Sequence, residues 1–472
     1  MRCRRTLSPS SCSGCDLNRS GIHPAIFDGP VLGLMLTMAT PNAMAFLVQA
    51  SVNMTEVWYV GQLGTTSLAA MGFVFPGLML MQMLSGGAMG GSMASAVARS
   101  LGRGAQETAQ QLLWHGIVIA LVAGLLFLAI YHTFGKTLLI MLGAEGAALE
   151  QAMAYGSVVF TGGAAIWLAN IVSGMFRGMG EMRIPAAVMA GSGLIQVLLS
   201  GCLVLGWFGA PRLGILGAAI SITCIAALSS LASLAILKSS IVPVRLSLAH
   251  FKLEVALFKD IFSVGALASI TPFLTIASIM IVTGLISEYG EAMVAGYSIG
   301  ARLEFLLVPM IFGFGSAMNT MVGMNMGAGN VARAEHIAFV GGTSAAAITG
   351  IVGVFLALFP QAWIGLFTDD PATIASGAQY LQISGWAFAF QGMGLALYFA
   401  CQGAGRILWP VVSNFVRFGV STGGALLVVY VFEASVSWIF VCLALGMVCY
   451  GAITAGSIWF GGWRDAPATV KG

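Results

Sequence analysis

Charge is what this sequence has least of: 8% of its 472 residues are Asp, Glu, Lys or Arg, against about a quarter in soluble domains. So few charges exclude a conventional water-soluble chain. Histidine is also scarce, with only His23, His115, His132, His250 and His336. No H-E-x-x-H, P-loop or G-x-S-x-G pattern occurs, so no enzyme signature is present and any pumping must draw on an ion gradient. Cysteine supplies no disulfide framework: Cys202, Cys224, Cys401, Cys442 and Cys449 sit in apolar stretches and read as small buried hydrophobes. Cys3, Cys12, Cys15 and His23 make a weak Cys₃His zinc pattern, for which an inert tail is the plainer reading.

Apolar residues fill the space that charge leaves, at 58% of the chain and a mean hydropathy of +0.94. Runs of about twenty apolar residues, the length that crosses a hydrocarbon core, recur throughout. Twelve are expected, near 30–57, 67–97, 112–132, 152–175, 185–206, 214–237, 260–286, 292–318, 337–360, 377–401, 408–431 and 435–460. The fold class is therefore all-α integral membrane. No apolar signal-peptide core precedes them. Residues 1–28 read as a disordered cytoplasmic tail or an extension ahead of the native start, 29–237 as an N-terminal six-helix lobe, 238–259 as a solvated cytoplasmic linker and 260–472 as a C-terminal lobe.

An internal repeat supports that division. Tyr155, Gly178, Gly180 and Pro185 return 225 positions later as Tyr380, Gly403, Gly405 and Pro410, and Ala70, Gly102 and Gly104 return as Ala295, Gly327 and Gly329. Six spans per half bring the chain back to its starting side, which predicts parallel repeats related by an axis along the membrane normal. Placing the N-terminus inside puts sixteen of the twenty basic residues on the cytoplasmic side, including Arg99, Arg103, Arg177, Arg183, Arg245 and Arg333, and leaves Lys136 and Arg212 outside. That is a strong positive-inside bias. It explains the net charge of +3 without nucleic acid.

Four ionisable residues fall within spans: Glu56, Arg302, Glu304 and Arg417. Charges there are costly and need a reason. Glu56 follows Pro41 by about four helical turns and shares its face of the first span. Burial would favour its neutral form, as a proton-coupled or cation-coupled carrier requires; alternatively Glu56 ends the span in water. Arg302 and Glu304 point to different sides of their helix, so Arg417 is the expected partner of Glu304. These charges serve either as a structural tie or in a direct role toward substrate. Methionines at 79, 81, 83, 89, 93, 318, 321, 324 and 326 cluster beside glycines, as adaptable cavity lining or as ordinary core filler. Tryptophans near span ends, Trp58, Trp114, Trp207, Trp363, Trp409, Trp459 and Trp463, read as interfacial anchors.

Over roughly residues 25–460 the chain resembles the multidrug and toxic compound extrusion (MATE) family. The resemblance rests on Thr55-Glu56 through Val60-Gly61-Gln62-Leu63-Gly64, on Ala98-Arg99-Ser100-Leu101-Gly102-Arg103-Gly104 and on Phe176-Arg177-Gly178-Met179-Gly180. In the second half it rests on Gly300-Ala301-Arg302-Leu303-Glu304, Val322-Gly323-Met324-Asn325-Met326-Gly327-Ala328-Gly329-Asn330 and Gln402-Gly403-Ala404-Gly405. It implies two six-helix lobes around a central cleft and export of amphipathic, often cationic, compounds in exchange for H⁺ or Na⁺. It further implies no cofactor beyond that coupling ion, a monomer in the plasma (inner) membrane with both termini cytoplasmic, and lipids and small molecules as partners. Glu56 corresponds to the family's first-helix aspartate, and the coupling positions become Glu56, Asn53, Gln196 and Ser200, with Pro41 as the kink. Gln196 and Ser200 stand where the family has Asn and Asp, which removes a carboxylate and favours a proton over sodium. A lipid-linked precursor flippase, needing a strongly basic cavity, is the related alternative, and an intramembrane enzyme the unrelated one.

Overall fold

In the computed structural model, which describes residues 24–464, the chain is helical throughout. Eleven helices and one bent pair are long and apolar enough to cross a membrane. In chain order they are α1 (Val31–Gly61), α2 (Thr65–Gly102), α3 (Gln106–Met141), α4 (Gly146–Thr161 and Gly163–Gly178, bent by 46°), α5 (Arg183–Leu205) and α6 (Ile215–Lys238). The second half follows as α7 (Val255–Ser287), α8 (Glu291–Gly327), α9 (Val331–Leu358), α10 (Pro371–Ala404), α11 (Leu408–Tyr430) and α12 (Val436–Trp459). Helix is the forced solution, because lipid offers backbone amides and carbonyls no partner outside the segment itself.

Several helices outrun their hydrophobic core. α8 has 37 residues, about 55 Å at roughly 1.5 Å per residue, and α3 has 36, against an expected apolar run of 112–132. Hydropathy marks only the part in lipid, while the helical hydrogen bonds continue into the polar ends.

The repeat is visible in the backbone. Gly104 and Gly329, which are repeat partners, have φ of +75° and +77° and close the α2–α3 and α8–α9 turns; Gly180 and Gly405, at +87° and +72°, close α4–α5 and α10–α11. These turns need the left-handed conformation that glycine adopts without strain. Close approaches repeat too: a Cβ on Gly178 would lie 2.9 Å from Ala94 Cα, and one on Gly403 would lie 2.9 Å from Asn319 Cα. Ala94 and Asn319 are again 225 apart.

The lobes join over the end of the bundle where the basic residues gather. α8 packs along α1 and the second half of α2, and nearer mid-span Phe46 meets Phe312 edge-on with ring centres 5.2 Å apart. α2 passes this region through a π-helical turn, Met83–Met89, within its Ser- and Gly-rich run, a local bulge of the kind found at functional positions.

The structure bears on four of these expectations. The connection between the halves is no free solvated loop: Val242, Val244 and Leu246 are buried, Trp114 Nε1 donates to Ser247 O at 3.0 Å, and the Glu254 amide donates to His115 Nε2 at 2.9 Å. It is strapped to the N-terminal lobe. The zinc pattern and most of the tail lie outside the described residues, but Ala25–Asp28 forms a helical turn, and Arg333 donates to Ile26 O at 3.1 Å and Gly29 O at 2.6 Å. Trp463 is buried rather than interfacial. Most of the clustered methionines, Met81, Met89, Met93, Met318, Met321 and Met324 among them, are core filler.

Candidate functional site

α1 divides its loyalties along its length. Around Pro41 it meets the other lobe: Gly313 of α8 is so close that its Cβ would lie 3.1 Å from Ala39 O and from Ala43 Cβ, and Asn42 Nδ2, next to the proline, donates to Ser316 Oγ of α8 at 3.0 Å. Farther along, α1 lies on α5 of its own lobe, where a Cβ on Gly193 would lie 3.1 Å from Val52 Cγ2. Pro41, within the first stretch, removes one amide from the helical ladder while the helix runs on.

Glu56 sits in the farther stretch, 3% exposed, and takes a hydrogen bond from Gln196 Nε2 of α5 at 2.7 Å. The structure therefore excludes the reading in which Glu56 ends the helix in open water. Ser200, one turn beyond Gln196, is fully buried with its Oγ unpartnered among the described residues. Tyr155 of α4 has a buried hydroxyl, also without a partner, within the electrostatic reach of Glu56. Ser221 Oγ of α6 reaches Gln196 O at 3.4 Å. The carboxyl group thus has one amide as its hydrogen-bond partner and one tyrosine hydroxyl within electrostatic reach, with the Ser200 hydroxyl one turn along α5 from that amide. Asn53 stands apart: it is exposed and accepts a hydrogen bond from Gln49 at 3.2 Å. Tyr155 carried a signal as a repeat marker, but nothing in the sequence aimed it at Glu56.

The second-half charges do not pair as expected. No ion pair joins Glu304 to Arg417 among the described residues; Glu304 Oε1 instead accepts from Tyr380 of α10 at 2.6 Å. Tyr380 is the repeat partner of Tyr155, so each lobe sets the same tyrosine near an acid, from α1 in one lobe and α8 in the other. Arg417 lies over the Tyr450 ring at 5.7 Å and the exposed Arg302 over Phe367 at 6.0 Å. Aromatic faces take the place of carboxylates here.

Arg177, expected on the cytoplasmic side, is 7% exposed and lines a hollow between the lobes together with Gly86, Gly91, Ala94, Phe312, Ser316, Asn319 and Phe399. No clustered methionine lines it.

The comparisons agree with this architecture. A family model, MatE, matches residues 41–201 and again 268–427, one copy in each lobe. A probable multidrug resistance protein NorM from Thermotoga maritima is 25% identical over 315 residues, 66% of this chain and 67% of its own length. An FAD transporter from Shewanella oneidensis is 23% identical over 396 residues, covering 83% and 86%. A solved MOP superfamily transporter from Pyrococcus furiosus, described as having a binding pocket of reverse polarity, shares the fold with a TM-score of 0.86 at 21% identity, over 94% of this chain and 100% of that one.

Proposed function

The chain belongs to the MATE family of multi-pass membrane transporters, and on that premise we propose that it is a secondary active antiporter exporting amphipathic small molecules in exchange for protons. The observation that carries the reading is the buried Glu56 held by Gln196 at 2.7 Å. A proton needs only this carboxyl. A sodium ion prefers several oxygen ligands with more negative charge, and Gln196 and Ser200 add none.

Charged, Glu56 accepts from Gln196. Protonated, it gains a donor of its own, for which Ser200 Oγ and Tyr155 OH are the unsatisfied neighbours. Taking up a proton therefore rearranges the contacts of α1 around Glu56, whereas Asn42, next to Pro41, ties the stretch at the proline to α8 across the lobe boundary. A bend of α1 at Pro41 would pass the change on to that interface, favouring one access state over the other. In this scheme the basic end faces the cytoplasm and is the closed side of the cleft.

Proteoliposomes with an imposed pH gradient test the scheme. Wild type moves a fluorescent amphipathic substrate against its gradient as protons flow in, and Glu56→Gln inserts normally but loses the coupled flux. Full flux in E56Q, or flux that follows an imposed Na⁺ gradient and ignores ΔpH, would sink the proposal. Cationic cargo was the expectation from the resemblance, yet no acid lines the hollow between the lobes among the described residues. A lipid-linked precursor would need a broadly basic cavity, and Arg177 is the sole cation lining this one.

A further inference from the structure

Each lobe's first helix is led in by a segment that lies on the third helix of the other lobe. Ahead of α1 the chain turns once over Ala25–Asp28, and Arg333 of α9 donates from Nε to Ile26 O at 3.1 Å and from Nη2 to Gly29 O at 2.6 Å. Ahead of α7 the single turn Leu248–His250 lies on α3, where Trp114 Nε1 donates to Ser247 O at 3.0 Å and the Trp114 ring meets Phe251 edge-on with centres 5.0 Å apart. Shifted by 225 positions, Ala25 falls on His250. Both ties run from one lobe to the other.

They differ in what could release them. The second is the chain's own passage between the lobes and cannot let go of either. Ala25–Asp28 adds no covalent link across the seam. Its hold on the far lobe comes from Arg333 and from Asn325 of α8, whose Nδ2 also donates to Ile26 O at 3.1 Å. The reason lies in the sequence: Ile26 O would take its helical hydrogen bond from residue 30, which is a proline without an amide, so the carbonyl is left for these side chains. Gly29, extended at ψ 172° as the residue before a proline tends to be, separates the turn from α1. The turn can therefore undock without unwinding the helix.

Ile26 is what the turn places in the seam. Its side chain is buried, and a Cβ built on Gly180, in the α4–α5 turn of the first lobe, would stand 3.9 Å from Ile26 Cδ1 and 3.7 Å from Cε of Met324 in α8. One residue thus packs beside the N-terminal lobe while its carbonyl is held by α8 and α9 of the other. Parting the lobes at the basic end draws the Gly180 turn away from Met324, and Ile26 cannot follow both.

We propose that Ala25–Gly29 is a clasp on the basic end, docked with Ile26 in the seam while that end is closed and released whenever it opens, with Arg333 and Asn325 as its positioning residues. The consequence rests on the transport reading, since alternating access is what requires the end to open. The first part of the test needs neither substrate nor gradient.

Spin labels on Glu107 of α3 and His336 of α9, exposed sites on opposite lobes, report the separation at the basic end in detergent. Arg333→Gln is expected to raise the fraction at long distance about fivefold, the weight of one hydrogen bond, and Arg333→Lys, which keeps the charge and loses the planar fork, to fall between. Ile26→Ala, which leaves the carbonyl in place, should raise it likewise. Unchanged distances in both R333Q and I26A overturn the proposal, because a turn that merely covers the surface would loosen without parting the lobes. The second part keeps Arg333 and Ile26: in a chain freed of its own cysteines, Asp28→Cys and Ala332→Cys, both exposed, are joined by a cleavable bifunctional thiol reagent in proteoliposomes. Flux should stop when the clasp is tied and return on cleavage; undiminished flux through the tied protein overturns the proposal even should R333Q fail to fold. Absence of proton-driven flux in the untied chain would count against the transport reading instead, and the distances would still decide the clasp.

Discussion

Gly102 and Gly327, repeat partners 225 positions apart, press against each other's helices in the same way. A Cβ on Gly102 would lie 2.8 Å from the carbonyl carbon of Met324, and one on Gly327 would lie 2.9 Å from that of Arg99. Met324 precedes Gly327 by three residues, as Arg99 precedes Gly102. The contact is thus self-complementary, and the pseudo-twofold axis between the lobes passes through it. The two glycines let α2 and α8 close the basic end.

Gly102→Ala should therefore act on the lobe interface more than on either lobe. Backbone cannot step aside as a side chain can, so overpacking costs about 1–3 kcal/mol. Spin labels placed on the two lobes at the basic end should report a longer separation in G102A, with Gly327→Ala matching it. Unchanged distances in both variants would contradict the role given to this crossing.

Arg99 and Asp260 lock the same end by charge. The Arg99 Nη2 donates to both Asp260 oxygens, at 2.9 and 3.0 Å, and its Nη1 contacts Ser95 Oγ. The Arg99 side chain is 8% exposed and that of Asp260 40%. Asp260→Asn leaves the arginine half-satisfied in a dry position; with Asp260 partly in water, the cost is about 1–2 kcal/mol. The basic end should open more often, seen as faster alkylation of cysteines introduced beneath the latch. Asp260→Glu should restore protection.

Gln196→Ala and Asn53→Ala should behave oppositely. Gln196 is the side-chain hydrogen-bond partner of Glu56, whereas Asn53 bonds to Gln49 on an exposed face. Proton-coupled flux should fall in Q196A, which loses a hydrogen bond to a charged group worth about 1.5–3 kcal/mol. It should stay within about twofold of wild type in N53A, since exposed substitutions rarely exceed ~0.5 kcal/mol. A large loss in N53A would return that residue to the coupling site.

In the second lobe, Glu304 depends on Tyr380 rather than on Arg417. Tyr380→Phe should lower the midpoint of thermal unfolding in detergent by removing a hydrogen bond to an acid, a loss of about 1.5–3 kcal/mol. The double reversal Glu304→Arg with Arg417→Glu should give no rescue over either single change. Recovery in the double variant would show that the two charges do meet.

Composition and periodicity alone determined that this chain lives in lipid, as twelve spans in two copies of one topology. The reason is that a bilayer admits helices only, and that duplication leaves glycines and tyrosines at a fixed offset. Even Glu56 stood out, because charge in a span is rare. Partnership was another matter. Glu304 and Arg417 looked like a natural pair, yet Glu304 turned to a tyrosine and Arg417 to a ring face, while Arg177 lines a hollow between the lobes. Hydropathy records how much of a helix is apolar and says nothing of which neighbour its polar atoms face. Only the packing of the helices decided that, because which helices lie side by side sets which donors, acceptors and ring faces come within reach.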